Sequence, residues 1–253
     1  MRVKPSVPIG IGIAVVYMAV FGGLFFASGV DYDAVADTPE NVRNAIVIPL
    51  AVAAVLLIIV TTVFGWWRPV LRERRRAGGW VIAVPIVIFL ALLAALDYGN
   101  LAELDSELLL WIGTAVALVG FCEELVYRGL LVVSFRSTLA EPMVWLWSSI
   151  AFGLLHSINF LLGQDLGPTV VQVIVTFIIG SAFYISRRAT GLIVVPMVLH
   201  LMWDYSSFTQ GDGHTIGGLP QMLGAILVIV ALTAGRKHLF GTADDPVDES
   251  VDA

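Results

Sequence analysis

The sequence predicts an all-α fold: a polytopic membrane helical bundle of about eight transmembrane helices with both termini in the cytoplasm. Of the 253 residues, 58% are hydrophobic and only 13% are charged, and the mean hydropathy is +0.90. A water-soluble domain of this composition would expose too much apolar surface. Apolar runs recur along the chain, and the basic residues gather in alternate loops. Together these features indicate a protein whose main partner is the lipid bilayer.

A helix needs roughly 20 apolar residues to cross the hydrocarbon core. Runs of about that length, bounded by charged residues, Pro or Gly, lie at 8–29, 45–67, 79–98, 108–133, 143–162, 168–186, 190–208 and 218–235. The loops between them are short and no long repeat recurs, so residues 1–240 are expected to form a single transmembrane bundle. The tail at 241–253 is rich in Asp and Glu and is expected to be a disordered, acidic, cytoplasmic segment.

The distribution of basic residues predicts the orientation. Of the 14 Lys and Arg residues, all but two lie on one side of the predicted helices. Arg43 lies on the other side, and Arg128 lies in the fourth helix. Basic loops favour the cytoplasm, so this side of the bundle is predicted to be cytoplasmic. Together with the repeated apolar runs, this predicts a multi-pass protein of the cell membrane. A net charge of -6 without a basic stripe excludes a nucleic-acid binder, and the single cysteine, Cys122, excludes a disulfide framework.

Ionisable residues inside membrane helices are costly, so each one that is retained indicates a functional site. Here they are Glu123, Glu124 and Arg128 in the fourth helix, His156 in the fifth, and His200 and Asp204 in the seventh. At about 1.5 Å of rise per residue, Glu123, His156 and His200 lie at a similar depth, roughly 18 to 21 Å from the basic ends of their helices. We therefore expect these three helices to enclose one polar cavity.

Spacing within each helix predicts which groups neutralise one another. Glu124 and Arg128 are four residues apart and are expected to form an intrahelical ion pair. Glu123 has no basic residue at the same spacing, so it needs a partner from another helix, such as His156. Asn159 follows His156 by three residues and is expected to orient its ring.

Three motifs follow one another on separate membrane helices within about residues 108–208: Glu-Glu-x-x-x-Arg at 123–128, Phe-x-x-x-His at 152–156 and His-x-x-x-Asp at 200–204. In this order they resemble the CPBP family, the CAAX protease and bacteriocin-processing group, which includes the type II CAAX prenyl endopeptidases. The resemblance implies that Glu123 activates water together with His156. It places His200 and Asp204 around the scissile carbonyl, with Glu124 and Arg128 in supporting roles.

The resemblance leaves two versions of the chemistry open. We favour metal-independent hydrolysis, in which no cofactor takes part. The alternative uses Zn²⁺ with His156, His200 and a carboxylate such as Glu123 as ligands. Asp204 stands where relatives carry Asn, so it must be protonated, orient His200 or bind metal.

The leading hypothesis is an intramembrane endopeptidase with a cavity open to the cytoplasm, acting on a membrane-tethered or prenylated (CAAX-type) peptide or protein. The sequence lacks the H-E-x-x-H, Gly-x-Ser-x-Gly and Gly-x-Gly-Asp patterns of other membrane proteases. A proton-coupled transporter is the first alternative, because buried Glu and His residues also build proton relays. A non-catalytic bacteriocin-immunity or scaffold protein is the second.

Overall fold

The computed structural model describes residues 1–73, 76–211 and 214–241, so the predicted acidic tail lies outside the described residues except for Gly241. The principal helices are α1 (Val7–Ser28), α2 (Pro39–Phe64), α3 (Gly79–Ala95), α4 (Ser106–Phe135), α5 (Glu141–Leu161), α6 (Leu166–Thr190), α7 (Val194–Phe208) and α8 (Leu219–Thr233). Shorter helical segments lie at Tyr32–Ala34, Trp67–Leu71, Tyr98–Glu103 and Arg236–Phe240. The described chain has no strand, only one isolated bridge between Arg72 and Leu192.

The helices begin and end where the sequence supplies caps. The Asp105 carboxylate accepts hydrogen bonds from the second and third backbone amides of α4, and Thr38 caps the start of α2 in the same way. Gly29, Gly65 and Gly191 adopt left-handed backbone angles that end α1, α2 and α6. Because α6 continues to Gly191, it is longer and α7 is shorter than the sequence predicts.

Helix lengths confirm a polytopic all-α membrane bundle. Among the described residues, α1, α2, α4, α5 and α6 are long and apolar enough to cross a bilayer. The helices α3 and α8 are apolar but shorter, and α7 has 15 residues. The predictions of about eight crossings and of cytoplasmic termini remain predictions.

The loops gather at two ends of the bundle. What we call the basic end contains residues 65–73, 76–78, 136–140 and 191–193. What we call the acidic end contains residues 29–38, 96–105, 162–165, 209–211 and 214–218. Contacts between successive loops define each end: Tyr32 bonds Leu162 at the acidic end, and Glu73 bonds Gly191 at the basic end. Principal helices that follow one another in the chain therefore run antiparallel, whereas α6 and α8, which also pack together, run parallel.

Buried charges close the basic end. The Glu73 carboxylate lies 2.7 Å from Arg187, 2.8 Å from Arg136 and 3.0 Å from Arg188. Glu141 also pairs with Arg136 and accepts a hydrogen bond from the Tyr184 hydroxyl. Burial opposes ionisation of Glu73, but the three guanidinium groups outweigh it and lower the pKa of this carboxyl to about 2. We call these residues, Glu73, Arg136, Glu141, Arg187 and Arg188, the ion cluster.

Glycines set the distances between the helices that carry the sequence motifs. A Cβ atom on Gly120 of α4 would lie 2.7 Å from the Met197 carbonyl oxygen of α7. A Cβ atom on Gly153 of α5 would lie 2.8 Å from the Val173 carbonyl oxygen of α6. Only glycine permits such close approach of two helix backbones. The fold thus draws α4 against α7 and α5 against α6, and the motif side chains converge between them.

Candidate active site

A cavity of about 320 Å³ lies between α1, α2, α4, α5, α6 and α7. Its wall contains Glu123, His156, His200 and Asp204, which come from three different helices. The structure therefore brings the predicted deep ionisable groups to one cavity. Most of the remaining wall is apolar or aromatic. An apolar wall with a few converging polar groups is the usual form of a ligand or substrate site.

Next to this wall, the Glu124 carboxylate contacts the guanidinium group of Arg128 and the imidazole ring of His200. Its Oε1 atom lies 3.1 Å from Arg128 Nη1 and 3.0 Å from His200 Nδ1. The side chains of Glu124 and Arg128 are fully buried, and His200 is nearly so. The predicted intrahelical ion pair is confirmed by this geometry. The bridge to His200 joins the first and third sequence motifs.

Phe152, from the second motif, lies among all these groups. The Arg128 guanidinium carbon is 3.8 Å from the centre of the Phe152 ring, a cation–π arrangement. The same ring meets His156 edge to face at 5.3 Å and His200 at 5.6 Å. Gly180 of α6 leaves the necessary room, since a Cβ atom there would lie 2.7 Å from Arg128 Nη2. Phe152 thus contacts residues of all three motifs and helps to fix their relative positions.

The two nitrogens of the His200 ring face carboxylates on opposite sides. Nδ1 faces Glu124, as described, and Nε2 lies 3.4 Å from Asp204 Oδ2. Glu123 Oε2 is also 3.9 Å from Nε2. Because His200 and Asp204 are one helical turn apart, the ring is held by its own helix as well as by α4.

His156 occupies a break in α5, where the regular helix Glu141–Leu155 ends before the short turn Ile158–Leu161. Its Nδ1 lies 3.0 Å from the Phe152 carbonyl oxygen, which can only accept a hydrogen bond. Nδ1 must therefore carry the proton in this contact. The other nitrogen, Nε2, then presents a lone pair in the neutral ring.

The side-chain amide of Asn159, which was expected to orient the His156 ring, donates its hydrogen bond to another residue. The Asn159 amide instead donates to Gln172 Oε1 at 3.1 Å, and the Gln172 amide donates to the Tyr32 hydroxyl at 3.1 Å. The backbone carbonyl of Phe152 holds His156 in its place. Asn159 is near the site because it helps to form the wall of the cavity.

Glu123 differs from its neighbour Glu124. It borders the cavity, whereas Glu124 does not. The Oε2 atoms of both glutamates are buried without forming a hydrogen bond to any described residue, but only that of Glu123 belongs to a side chain at the cavity. Chemically, this oxygen is placed to accept a proton or a hydrogen bond from a molecule in the cavity.

The zinc alternative needs ligands that lie close together. No three His, Cys, Asp or Glu side chains within 1–73, 76–211 and 214–241 are grouped so that they could hold a metal ion. His200 holds Nδ1 against Glu124 and leaves Nε2 free to act as a ligand, which is a usual arrangement for a metal-binding histidine. The metal-independent and the zinc-dependent versions of the chemistry both remain predictions.

The cavity lies nearer to one end of the bundle than to the other. Every lining residue lies at the middle of its helix, in the half nearest the acidic end, or in the loop that follows α1. The sequence predicts that the basic loops face the cytoplasm and that the site opens to the cytoplasm. Both remain predictions.

Three residues that help to form the site were not predicted from the sequence. Tyr32 lies in a loop, and Gln172 is polar but not ionisable, so a search for charged groups in helices passes over both. Gly120 carries no chemistry of its own. The available signals were a lone Gln in an apolar run and a glycine three residues before Glu123.

The helical bundle encloses Glu, His and Asp side chains around one buried cavity. Residues 105–206 match the family model described as Type II CAAX prenyl endopeptidase Rce1-like. This segment includes all three motifs, and the match confirms the resemblance inferred from the sequence. No curated protein and no solved structure matches the chain.

Proposed function

We propose that the protein is an endopeptidase that hydrolyses a peptide bond in a membrane-tethered peptide or protein, with prenylated (CAAX-type) substrates as one class. The observation that carries the proposal is the buried Glu123 Oε2, which borders the same cavity as His156 and His200 and forms no hydrogen bond within the described chain. A carboxylate in this position is suited to general-base chemistry on water.

In the first step, Glu123 accepts a proton from a water molecule while His156 holds that water through Nε2. The water oxygen then forms a bond to the scissile carbonyl carbon. The supporting observation is that the Phe152 carbonyl fixes Nδ1 of His156 as the protonated nitrogen, which turns Nε2 into the acceptor.

In the second step, negative charge develops on the carbonyl oxygen, and His200 stabilises it through Nε2–H. The carbon–nitrogen bond breaks, and the leaving amine receives the proton held by Glu123. Asp204, 3.4 Å from Nε2, orients the His200 ring within α7. This assignment uses the second option for Asp204, and the amide oxygen of an Asn could accept the same hydrogen bond.

Glu124 and Arg128 act as positioning residues. Neither lines the cavity, and both side chains are fully buried. Glu124 holds Nδ1 of His200, and Arg128 balances the charge of Glu124 while packing on Phe152. They support the reacting groups through contacts rather than by touching the substrate.

The test is cleavage of a quenched fluorescent peptide library, including farnesylated members, by the purified protein in detergent. Glu123→Gln should abolish cleavage, because the amide cannot accept the proton from water. Glu107→Gln makes the same change at an exposed position of α4 and should retain full activity. Full activity in Glu123→Gln would overturn the proposal.

The same assay tests the cofactor. Cleavage that persists with a chelator supports the metal-independent reaction. Loss of cleavage with the chelator, reversed by added Zn²⁺, would show that a bound metal takes part in activating the water and that Glu123 does not do so alone.

A further inference from the structure

We infer that Tyr32 is a further substrate-binding residue of the cavity, and that its hydroxyl group donates a hydrogen bond to a backbone carbonyl oxygen of the bound peptide. The inference rests on the proposed function for the nature of the ligand, which is a peptide. It adds a contact from the loop between α1 and α2, whereas the groups assigned so far all belong to α4, α5 and α7.

The first support is the use of the hydroxyl groups in the cavity wall, which belong to Tyr32, Thr176 and Ser207. Thr176 donates to the Gln172 carbonyl oxygen at 2.7 Å, and Ser207 donates to the Trp203 carbonyl oxygen at 3.0 Å. The Tyr32 oxygen instead accepts a hydrogen bond from Gln172 Nε2 at 3.1 Å. Among the described hydroxyl groups of the wall, Tyr32 alone therefore keeps its hydrogen for a molecule in the cavity.

The second support is that the position of this hydroxyl group is fixed. Asn159 of α5 donates to Gln172 Oε1 at 3.1 Å, and the Gln172 amide donates in turn to Tyr32. The Tyr32 backbone amide donates to the Leu162 carbonyl oxygen at 3.0 Å, and its ring lies 6.4 Å from that of Phe25. Hydrogen bonds in such a chain polarise one another, and a donor already held in place loses little freedom when a ligand binds.

The third support is the charge around the hydroxyl group. Burial raises the pKa of Tyr32, the hydrogen bond from Gln172 opposes this rise, and the carboxylates of Asp204 and Glu123 add to it. The hydroxyl group thus stays protonated, as a donor must. The same carboxylates disfavour an anionic ligand group, and no Lys or Arg belongs to the described wall of the cavity. An uncharged carbonyl oxygen therefore suits this donor better than a carboxylate.

Peptide binding to the full chain in detergent tests the inference. Glu123→Gln serves as the background, because it should leave the peptide uncleaved. The probe is the member of the fluorescent peptide library, farnesylated members included, that binds this background most tightly. Adding Tyr32→Phe should raise the Kd of the probe about threefold to tenfold, the effect of one uncharged hydrogen bond. The matched control, Tyr98→Phe, removes an exposed hydroxyl group outside the cavity and should leave the Kd unchanged.

Gln172→Glu separates a contact with the peptide from a role in holding the loop alone. An ionised carboxylate only accepts hydrogen bonds, so it keeps the tie to Tyr32 but takes up the hydrogen of the hydroxyl group. The Kd should therefore rise as it does for Tyr32→Phe, and combining the two substitutions should raise it no further. If Tyr32 only holds the loop, Gln172→Glu should bind the probe as tightly as the background does.

An unchanged Kd in Tyr32→Phe would overturn the inference. Failure of every library member to bind Glu123→Gln would also overturn it, because the cavity would then not take a peptide. Binding of the probe without any cleavage by the natural protein would count against the proposed function alone, since the Kd values still decide whether Tyr32 contacts the peptide. The two failures are therefore distinguishable.

Discussion

Glu124 Oε1 lies 3.0 Å from His200 Nδ1 and joins two helices whose sequence motifs are 76 residues apart. The same oxygen pairs with Arg128 at 3.1 Å. One carboxylate thus sets the orientation of the ring that faces the cavity and balances a buried positive charge. The adjacent Glu123 borders the cavity, and its Oε2 atom lies 3.9 Å from His200 Nε2. The two glutamates of one motif therefore have different surroundings and should respond differently to the same substitution.

Glu124→Gln should lower both activity and stability, whereas Glu123→Gln should affect activity alone. Removing one partner of a buried ion pair leaves the other charge uncompensated and costs about 3–5 kcal/mol. Thermal unfolding in detergent, compared for the two variants and the wild type, measures the difference. Equal unfolding temperatures for Glu124→Gln and wild type would show that the bridge to Arg128 and His200 contributes nothing.

Gly120→Ala should separate α4 from α7 and reduce cleavage strongly. Its new Cβ atom would lie 2.7 Å from the Met197 carbonyl oxygen, so the helices must move and carry the glutamates away from His200. Gly113→Ala is the matched control, because no heavy atom of another segment lies within 4 Å of a Cβ atom there. The measurement is kcat/KM of each variant relative to the wild type. Equal values for the two variants would contradict the close approach of α4 to α7.

Glu73→Gln should destabilise the protein most above about pH 5. The ordinary pKa of 4.5 is lowered to about 2 in the folded state, which corresponds to about 3 kcal/mol of stability. A carboxyl group whose pKa is lowered on folding stabilises the fold at pH values above its pKa in the unfolded state. This stabilisation is lost as the pH falls toward the pKa in the folded state. The gap in unfolding temperature between wild type and Glu73→Gln should therefore narrow from about pH 5 toward pH 2.

The control for this comparison is Glu107→Gln, which changes an exposed carboxyl of α4 outside the ion cluster. It should unfold like the wild type across the same pH range. A gap for Glu73→Gln that stays constant down to pH 2 would contradict the assigned role of the guanidinium groups.

Asp204→Asn should retain cleavage to within about tenfold, a change in barrier of roughly 1.4 kcal/mol. The amide oxygen can still accept a hydrogen bond from His200 Nε2, which lies 3.4 Å away in the natural protein. Asp204→Leu removes the acceptor and should lose most activity. An equal loss of kcat/KM in both variants would show that the negative charge itself is required.

The sequence predicted those features of the fold and the site that depend on a single helix. Apolar runs predicted the positions of the helices, and four-residue spacing predicted the contact between Glu124 and Arg128. Equal depth predicted that Glu123, His156 and His200 share a cavity, because depth depends only on rise per residue.

Relationships that depend on rotation between helices were not predictable in this way. The contact of Glu124 with His200 requires the close approach at Gly120, and periodicity carries no information about that approach. Asn159 lies at the expected spacing from His156, yet the break in α5 turns its amide toward Gln172.

The wide turn at Leu125–Leu130, a π-helical segment inside α4, limits how this chain can change in length. Such a turn arises when one extra residue is accommodated in an α-helix. Deleting one residue from it would restore the ordinary pitch and rotate everything before it by about 100° relative to Phe135. Glu123 and Glu124 would then face other neighbours, although every side chain of the motifs remained in the sequence. Single-residue deletions should therefore be tolerated in the loops of this protein and selected against at this turn.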